Sequence, residues 1–563
     1  MRYLSCYFGH EAGMAVYDSE TTQYHTFEFE KLTGKRYCRD INLDYADEVV
    51  IRWYLQRHYR GPRYKIDKLL IDTHLMSRPH LVWSKMLKGQ YLSRVDPVKH
   101  HAAHASLGFW TSPFEKAVVI TADGGGENES FTVSVAHNRK DPLQKLWAGN
   151  DNPNLGGFYL ACAAFCKEVM YHGDYMTYAG KAMGLTARGK VRDEWYPELY
   201  KLARHNRYWG IATIKWPFRQ KWYLNHFKSL IDVLPGIHVE GQDSYDLMAT
   251  AQKVLQDIFI EIADPFIKQY PGYNIVISGG VALNVVNNEY VKHQYPDRLV
   301  FIPSAPGDSG LALGRLLADI RPAEQVKANY LGHTVVNEVP TKQDIINDPT
   351  LRGMFNMDKV AAEIMEYVTA YRSRLSDSSV PITVTEIAQM LADGKIIGVI
   401  NGRSEFGPRA LGARSILCDP SYPDMKDKIN KKIKSREWYR PFAPVCRLQD
   451  APTYFDSTQF EFMESMAFAP MVRPEWRDKL PSITHVDGTA RLQTVTKESH
   501  AWTYNLLTEF DRLTGRQVLL NTSFNVKGKA ILNDITDAVD VLGSTDLDAL
   551  IYEDRMLVIY DII

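Results

Sequence analysis

The stretch KAVVITADGGG, residues 116–126, is the part of the sequence that most directly indicates a fold. Lys116–Thr121 is a short apolar run, which is typical of a buried strand. Asp123 follows this run and precedes three glycines, so that a carboxylate can stand at a strand end while the glycines let a ligand approach the backbone. The alternative is a glycine-rich hairpin in which Asp123 is a turn residue.

Two later stretches repeat this arrangement of a buried strand followed by a polar turn. Asn274–Ser278 leads into Gly279 and Gly280, whose free backbone N–H groups would suit a nucleotide. Leu299–Pro303 leads into a turn that contains Asp308, for which a helix N-cap is the alternative. Together the turns predict a nucleotide cleft between two halves, built from acidic strand ends and glycine-rich loops.

The segment KHHAAHASLGFW, residues 99–110, adds a pair of histidines to these turns. His100 and His104 are four residues apart, so a helix would direct both imidazoles to one side. This spacing can hold one metal ion, and neutral imidazole suits Fe, Zn, Mn or Co better than Ca. A solvated histidine cluster at a helix start is the alternative.

The segments around these motifs predict alternating strands and helices. The first forty residues read as strands, and a mostly helical region follows from about 156 to 270. The expected N-terminal strands are Arg2–Phe8, Gly13–Tyr17 and Thr26–Phe29, and the later ones include Phe131–Ala136 and Lys395–Ile400.

Composition excludes several classes of protein. The 563 residues carry a net charge of −1, which excludes a globally basic nucleic-acid coat and an acidic disordered tail. Six cysteines without a CxxC pair argue against a disulfide scaffold and a cysteine zinc site. Because we see no signal peptide and no apolar run of bilayer length, we expect a cytoplasmic protein without a membrane partner.

Residues 395–446 form a locally basic region with an excess of six basic over acidic residues. A charge run is usually a solvated helix face, but here three arginines alternate with Gly and Pro, and rigid turns that carry arginines suit bidentate phosphate binding. These arginines are Arg403, Arg409 and Arg414, and Lys434, Arg436 and Arg440 follow beside Trp438 and Tyr439.

Polar residues cluster again near the end of the chain. Arg491 and Gln493 lie in HVDGTARLQTV, and Asn521, Ser523 and Asn525 follow the apolar strand Val518–Leu520. Such a strand end could present amides and a hydroxyl to a phosphate or a nucleotide. A polar loop rim without a ligand is the alternative.

These motifs resemble a known group of transferases. The pattern HxxxH, DGGG, GKAMGLTARG, ISGGVALN and PSAPGDSG is similar to the universal tRNA threonylcarbamoyl-transfer proteins. It is more similar to the O-carbamoyltransferases that modify nodulation factors and antibiotics. The strings GPRALGARS, REWYRPFAP, RLQTV and NTSFN resemble the O-carbamoyltransferases alone.

The resemblance implies a mixed α/β and α+β fold with two domains. Residues 1–345 would form a duplicated domain like that of actin, hexokinase and the heat-shock ATPases. Residues 346–385 would be a connector, and residues 386–563 a YrdC-like α/β domain.

The resemblance also implies which residues form the sites. It assigns His10 as a general base for the acceptor hydroxyl. The sequence departs from the family pattern at Arg188, where a histidine is usual. The implied metal ligands are His100, His104, Asp123 and Asp308, which would hold Fe(II), with Mg or Mn as alternatives. The implied catalytic cations are Arg409, Lys434 and Arg440. The implied nucleotide- and phosphate-binding residues are Lys181, Gly184, Gly279, Gly280, Asn284, Arg403, Arg414, Arg436, Arg491, Gln493, Asn521, Ser523 and Asn525.

The implied activity is an ATP-dependent O-carbamoyl transfer. Carbamoyl phosphate and ATP would give carbamoyl-adenylate, and a hydroxyl of a sugar, a natural product or a hydroxymethylated nucleobase would accept the carbamoyl group. The alternatives are a tRNA threonylcarbamoyl-type transferase and a non-catalytic nucleotide-binding scaffold. DNA is a further candidate partner, because Arg204, Arg207, Arg219 and Lys221 alternate with aromatic residues that could stack bases. An amphipathic surface segment that packs its aromatics inward is the alternative there.

Overall fold

The structure is a computed structural model, and it describes most of both expected domains. The described residues are 1–7, 9–33, 36, 67–71, 94–126, 129–150, 153–169, 175–205, 230, 232–234, 236–238, 240–332, 379–533 and 535–558. Residues 346–378 of the expected connector are not among the described residues, so the domain boundaries stay predictions. Most of the basic and aromatic stretch from Arg204 to Trp222 also lies outside the described residues.

The first sheet has five strands in the order β3-β2-β1-β4-β5. Strands β1, β2 and β3 are antiparallel neighbours, whereas β4 and β5 run parallel to β1. The strands are β1 Arg2–Tyr7, β2 Gly13–Asp18, β3 Gln23–Glu28, β4 Lys68–Ile71 and β5 Arg94–Pro97. The three strands predicted near the N-terminus are confirmed, with shifts of a few residues at their ends.

The second sheet repeats this plan with the order β10-β9-β6-β7-β8. Here β6, β7 and β8 are the antiparallel neighbours, and β9 and β10 run parallel to β6. The strands are β6 Ala117–Gly126, β7 Glu129–Ala136, β8 Gln144–Asn150, β9 Asn274–Ser278 and β10 Val300–Phe301. The equal order and direction of the two sheets agree with the expected duplication.

Two helices pack against each other between these sheets. The helix His100–Thr111 follows β5 and packs on β6 and β9, and the helix Leu311–Ile320 follows β10 and packs on β1 and β2. An alanine Cβ at Gly314 would overlap the carbonyl oxygen of Ala103, so glycine is required where the helices cross. Nearly every side chain of His100–Thr111 is buried, which fixes the position of its first turn.

The third sheet has eight strands in the order β11-β20-β19-β12-β13-β18-β14-β17. The pairs β12–β19 and β14–β17 are parallel, and the other pairs are antiparallel, so the sheet is mixed. The strands are β11 Val380–Pro381, β12 Ile397–Ile400, β13 Arg414–Cys418, β14 Ala443–Arg447, β15 Phe455–Asp456, β16 Met471–Val472, β17 Gln493–Val495, β18 Val518–Ser523, β19 Ala549–Tyr552 and β20 Arg555–Leu557, of which β15 and β16 form a separate pair. The mixed α/β class is confirmed.

Further helices cover the sheets. The 28-residue helix Gln242–Gln269 packs on the helices Leu155–Phe165 and Tyr196–His205 beside the second sheet. The other helices are Phe29–Thr33, Tyr178–Ala182, Val285–Gln294, Val384–Ala392, Met425–Ile429, Ala451–Tyr454, Pro474–Arg477, Ala501–Thr514 and Ile535–Ser544. Among the described residues, none of these helices combines the length and the apolar character that crossing a membrane requires.

Candidate active site

Four predicted metal ligands meet at one point between the two repeated halves. The first turn of His100–Thr111 presents His100 and His104, the end of β6 presents Asp123, and the turn after β10 presents Asp308. One donor atom of each residue lies within 4.8 Å of the donors of the other three. The sequence expectation that these side chains share a site therefore agrees with the geometry.

The distances between the donor atoms fit one metal ion. Nε2 of His100 lies 2.9 Å from Oδ2 of Asp123 and 3.1 Å from Nε2 of His104. Nε2 of His104 lies 3.2 Å from Oδ2 of Asp123 and 3.4 Å from Oδ1 of Asp308. Ligand atoms about 2.0–2.2 Å from one ion, at angles of about 90–110°, are about 2.8–3.6 Å apart. Two imidazoles and two carboxylates also form a donor set that suits a divalent transition metal.

The glycines after Asp123 have identifiable roles in holding this geometry. The N–H groups of Gly124 and Gly280 donate to Oδ1 of Asp123 at 2.7 and 3.2 Å, which leaves Oδ2 facing the histidines. An alanine Cβ at Gly126 would lie 2.6 Å from the His100 ring. The DGGG motif therefore orients a carboxylate and makes room for an imidazole.

Electrostatics separate His104 from His101, which lies on the same helix. Burial opposes protonation of His104, but hydrogen bonds to Asp123 and Asp308 outweigh it and raise the pKa of His104 to about 9. Burial disfavours the ionised form of Asp123, but hydrogen bonds to both histidines hold its pKa well below the usual range. Burial lowers the pKa of His101 to about 3, and its ring bonds to Thr121 instead.

Two residues from the first sheet reach Asp308. His10, in the turn after β1, places Nε2 at 3.3 Å from Oδ2 of Asp308. Tyr7, the last residue of β1, donates its hydroxyl proton to the same oxygen. The sequence analysis did not select Tyr7, although a tyrosine at the end of a strand, three residues before His10, was a signal that could have pointed to it.

Five cations of the C-terminal half form a second cluster: Arg409, Lys434, Arg436, Arg440 and Arg491. Burial lowers the pKa of Arg491 well below the usual range, and the charges of its arginine neighbours lower it further. Burial lowers the pKa of Lys434 well below the usual range, and the charges of Arg436, Arg440 and Arg36 lower it further. Nε of Arg491 is buried and has no hydrogen-bond partner among the described residues. Like charges at such proximity repel, so this cationic pocket suits a polyanion such as a phosphate chain.

The polar residues near the C-terminus divide into two groups around this pocket. Lys434 donates to the backbone oxygen of Ser523 and, at 2.7 Å, to Oδ1 of Asn525, so all three lie together. Asn521 donates to Gln493 at 2.7 Å and to the carbonyl of Ala410 at 3.0 Å, which lies next to Arg409. The structure thus brings Gln493 and Asn521 to the loop that carries Arg409.

Two predicted phosphate-binding arginines do not join the cationic pocket. Arg403 donates to the carbonyls of Gly332, Tyr24 and Leu331, which ties the first sheet to the C-terminal half. Arg414 is fully buried and donates to backbone carbonyls, including those of Gly402 and Ala413. Carbonyl oxygens therefore accept the protons that were expected to bind phosphate.

The turn after β9 also differs from the sequence expectation, which was that the N–H groups of Gly279 and Gly280 are free to bind a nucleotide. The N–H of Gly279 donates to the carbonyl of Pro306 at 2.9 Å, and that of Gly280 donates to Asp123, so neither N–H is free. The positive φ of 89° at Gly279 explains why glycine is needed there. Asn284 caps the helix Val285–Gln294 and donates to Gln252 at 2.9 Å. These contacts position the turn behind Asp123.

The loop with Lys181 and Gly184 lies against the C-terminal half. Lys181 pairs with Glu437 at 3.0 Å, and Gly184 packs on the ring of Tyr439. Arg188, the residue that departs from the family pattern, stacks on Trp438 with its guanidinium carbon 4.5 Å from the ring centre. The structure therefore places this loop beside the residues that flank the cationic pocket.

Comparison with known proteins identifies the family. The family model described as Carbamoyltransferase N-terminus matches residues 48–317, and the one described as Carbamoyltransferase C-terminus matches residues 388–558. The nodulation protein NolNO of Sinorhizobium fredii is 31% identical over 504 residues, which cover 86% of this chain and 68% of that protein. The chain belongs to the carbamoyltransferase family. It is therefore an enzyme that transfers carbamoyl groups.

Other carbamoyltransferase relatives give the same result. The nodulation protein NolO of Bradyrhizobium diazoefficiens is 30% identical, with 81% of this chain and 77% of that protein covered. The nodulation protein U of Rhizobium tropici is 33% identical, with 78% and 72% covered.

Solved structures show weaker likeness to this carbamoyltransferase. HypF from T. kodakarensis has a TM-score of 0.34 and 14% identity, with 57% of this chain and 47% of that chain covered. Full-length HypF in the phosphate- and nucleotide-bound form has a TM-score of 0.32 and 14% identity, with 56% and 46% covered. Scores this low do not bear on the mechanism.

Proposed function

We propose that the chain is an ATP-dependent O-carbamoyltransferase with two sites. The cationic pocket makes carbamoyl-adenylate, and the site of His100, His104, Asp123 and Asp308 transfers its carbamoyl group to a hydroxyl. The observation that carries the proposal is the unpartnered, buried Nε of Arg491 within a cluster of cations. A YrdC-like character of the C-terminal half is part of the same proposal.

The first step is supported by the chemistry of the cationic pocket. Carbamoyl phosphate reacts with water to give carbamate and phosphate, and a carbamate oxygen then attacks the α-phosphorus of ATP and displaces pyrophosphate. Arg409, Arg440 and Arg491 would bind the phosphate chain and stabilise the charge that the leaving pyrophosphate gains. Carbamate is a poor electrophile at neutral pH, and the adenylate supplies a good leaving group.

The contacts of Leu283 support transfer of the intermediate between the two sites. Arg409 donates to the carbonyl of Leu283 at 3.3 Å. The side chain of Leu283 also contacts the turn at Gly307, with its Cδ1 3.6 Å from where a Cβ would stand, and Gly307 directly precedes Asp308. Leu283 thus lies between Arg409 and the turn that carries Asp308. A short enclosed path would keep the labile adenylate out of bulk water.

The second step uses residues at the metal site. The acceptor hydroxyl attacks the carbamoyl carbon, AMP leaves, and His10 takes the hydroxyl proton on a ring nitrogen. A divalent ion held by His100, His104, Asp123 and Asp308 would polarise the carbonyl and bind the phosphate of AMP. Fe(II) is the ion we propose, with Mg and Mn as alternatives.

The acceptor is proposed as a hydroxyl on a sugar or natural product, or on a hydroxymethylated nucleobase. Each class offers a primary or secondary alcohol that His10 could deprotonate. The acceptor is found by offering each class with carbamoyl phosphate carrying ¹⁴C and by measuring label in the product.

A two-variant assay tests the division of labour. Purified protein is incubated with carbamoyl phosphate, ATP and Fe(II) or Mg(II), and pyrophosphate is measured with and without acceptors. Arg409→Ala should lower pyrophosphate formation by about 100-fold or more, because it removes a donor to the phosphate chain. His100→Ala should still form pyrophosphate but transfer no label.

A control for correct folding is needed for both variants. Both variants should show the far-UV circular dichroism of the wild type. If Arg409→Ala and His100→Ala impaired the first step equally, the assignment of two separate sites would be wrong.

A further inference from the structure

Glu437 joins the two halves of the molecule beside the cationic pocket. Its Oε1 lies 3.0 Å from Nζ of Lys181, which belongs to the N-terminal half, and both side chains are buried, at 7% and 8% exposure. Its Oε2 lies 3.3 Å from a guanidinium nitrogen of Arg440. Each carboxylate oxygen therefore has a different cationic partner.

Arg440 needs such a partner because, among the described residues, its charge also acts on several cations. Its charge lowers the pKa of Lys434, Arg436 and Arg491, so it lies within electrostatic reach of all three. Repulsion would drive its half-exposed side chain toward solvent. The carboxylate of Glu437 opposes that movement, and burial of the pair with Lys181 fixes the carboxylate in turn.

Packing around the Lys181–Glu437 pair holds it at one place. Gly184 lies against the ring of Tyr439, at 3.3 Å from where a Cβ would stand, and close to the backbone of Arg440. Arg188 stacks on Trp438, the residue after Glu437. The contacts of Lys181, Gly184 and Arg188 thus align their loop with residues 437–440.

We propose that Lys181 is a positioning residue that acts through Glu437 to hold Arg440 in the cationic pocket. The sequence resemblance implied direct binding of a nucleotide by Lys181, whereas the geometry points to an indirect role. The N-terminal half thereby completes the anion site of the C-terminal half. The inference rests on the proposed function only in naming phosphates as the ligands of that pocket.

A double-mutant cycle on the full chain tests the indirect role. Pyrophosphate is the probe, and its binding is measured by isothermal titration calorimetry for the wild type, Lys181→Met, Glu437→Gln and the double variant. Each single change should weaken pyrophosphate binding by about tenfold. The double variant should bind no more weakly than Glu437→Gln alone, because Lys181 then has no carboxylate to hold.

Two further variants separate positioning from stability. Lys292→Met removes another buried lysine that crosses between the halves, where it pairs with Glu289 at 2.5 Å and donates to Ser457 at 2.9 Å. It should lower the melting temperature without changing pyrophosphate affinity. Lys181→Arg, which keeps the charge, should recover most of the affinity that Lys181→Met loses.

The affinities of the double variant and of Lys181→Met decide whether Lys181 acts through Glu437. Losses that multiply to about 100-fold in the double variant would mean that Lys181 contacts the anion itself, and unchanged affinity in Lys181→Met would remove its role altogether. Either result overturns the proposal. The wild-type protein's failure to form adenylate would instead contradict the proposed function, and the binding cycle would still be readable.

Discussion

At the residue scale, two adjacent histidines on one helix have opposite chemical roles. His100 faces Asp123 and Asp308, at 2.9 and 3.5 Å, where a cation is stabilised. His101 points to the other side, where its ring bonds to Thr121 and to the carbonyl of Glu129, both at 2.8 Å. Both of its nitrogens are thus occupied, so it cannot ligate an ion.

This contrast gives a matched pair of variants for the metal site. His104→Ala should weaken metal binding by more than about 100-fold, because it removes a ligand rather than a supporting contact. His101→Ala should keep one ion per chain, although loss of its two hydrogen bonds should lower the free energy of unfolding by about 1–3 kcal/mol. Metal content after anaerobic dialysis against Fe(II) or Mn(II) is the measurement. Retention of the ion by His104→Ala would contradict the four-ligand site.

The sequence predicted which residues lie together at the candidate metal site better than which residues lie in the cationic pocket. A histidine spacing of four residues and a carboxylate at a strand end depend only on the geometry of one helix or one strand. Such positions can therefore be read from the sequence. The role of an arginine depends on which carbonyls or anions the rest of the chain brings to it. Arg403 and Arg409 lie in one motif, yet Arg403 meets the carbonyls of Tyr24 and Leu331, whereas Arg409 meets that of Leu283.

At the scale of elements, the crossing of two helices controls the position of the proposed metal ligands. The helix His100–Thr111 carries two ligands, and Leu311–Ile320 begins just after Asp308. Gly314 lets the helix axes approach because it has no Cβ to meet Ala103. A change in this spacing would move His100 and His104 relative to Asp308.

Two glycine substitutions test this control. Gly314→Ala should lower the free energy of unfolding by about 1–3 kcal/mol, because the overlap is with backbone that cannot move aside. It should also weaken metal binding. Gly543→Ala, in the helix Ile535–Ser544, meets no atom within 4 Å and should raise stability by about 0.5–1 kcal/mol. Urea unfolding with and without metal measures both effects, and equal behaviour of the two variants would exclude the helix crossing as the cause.

The elements that sequence predicted well are the buried ones. The prediction for β9 matched the structure at both ends, since the three consecutive β-branched residues Ile275, Val276 and Ile277 lie between clear turns. Strand β8 was not predicted, because it lies at a sheet edge with mostly exposed and half-buried residues, and its apolar run is only three residues long.

At the scale of the whole molecule, Arg403 links regions that are far apart in sequence. Its guanidinium group donates to Tyr24 in the first sheet and to Leu331 and Gly332 at the end of the described N-terminal half. Lys31 adds two similar bonds, to the carbonyls of Glu405 at 2.7 Å and Gly407 at 2.9 Å. These contacts fix the loop that carries Arg409 against the first half.

The two arginines of this loop should therefore respond differently to the same truncation. Arg403→Ala should lower the free energy of unfolding by about 2–4 kcal/mol, because several buried carbonyls lose their donor. Arg409→Ala should change it by less than about 1 kcal/mol, because it relieves repulsion among cations. Thermal unfolding and pyrophosphate binding are measured on both. Loss of pyrophosphate binding in a fully stable Arg403→Ala protein would show that Arg403 binds phosphate after all.

The matching order of the first two sheets has a consequence for the candidate ion site. Each repeat sends the end of its central strand and the start of its last helix to the same point, and the two contributions differ: tyrosine and histidines from one copy, aspartates from the other. A single repeat would possess half of these groups. An ion held by all four residues therefore needs both repeats, because neither repeat alone carries the full set of donor atoms.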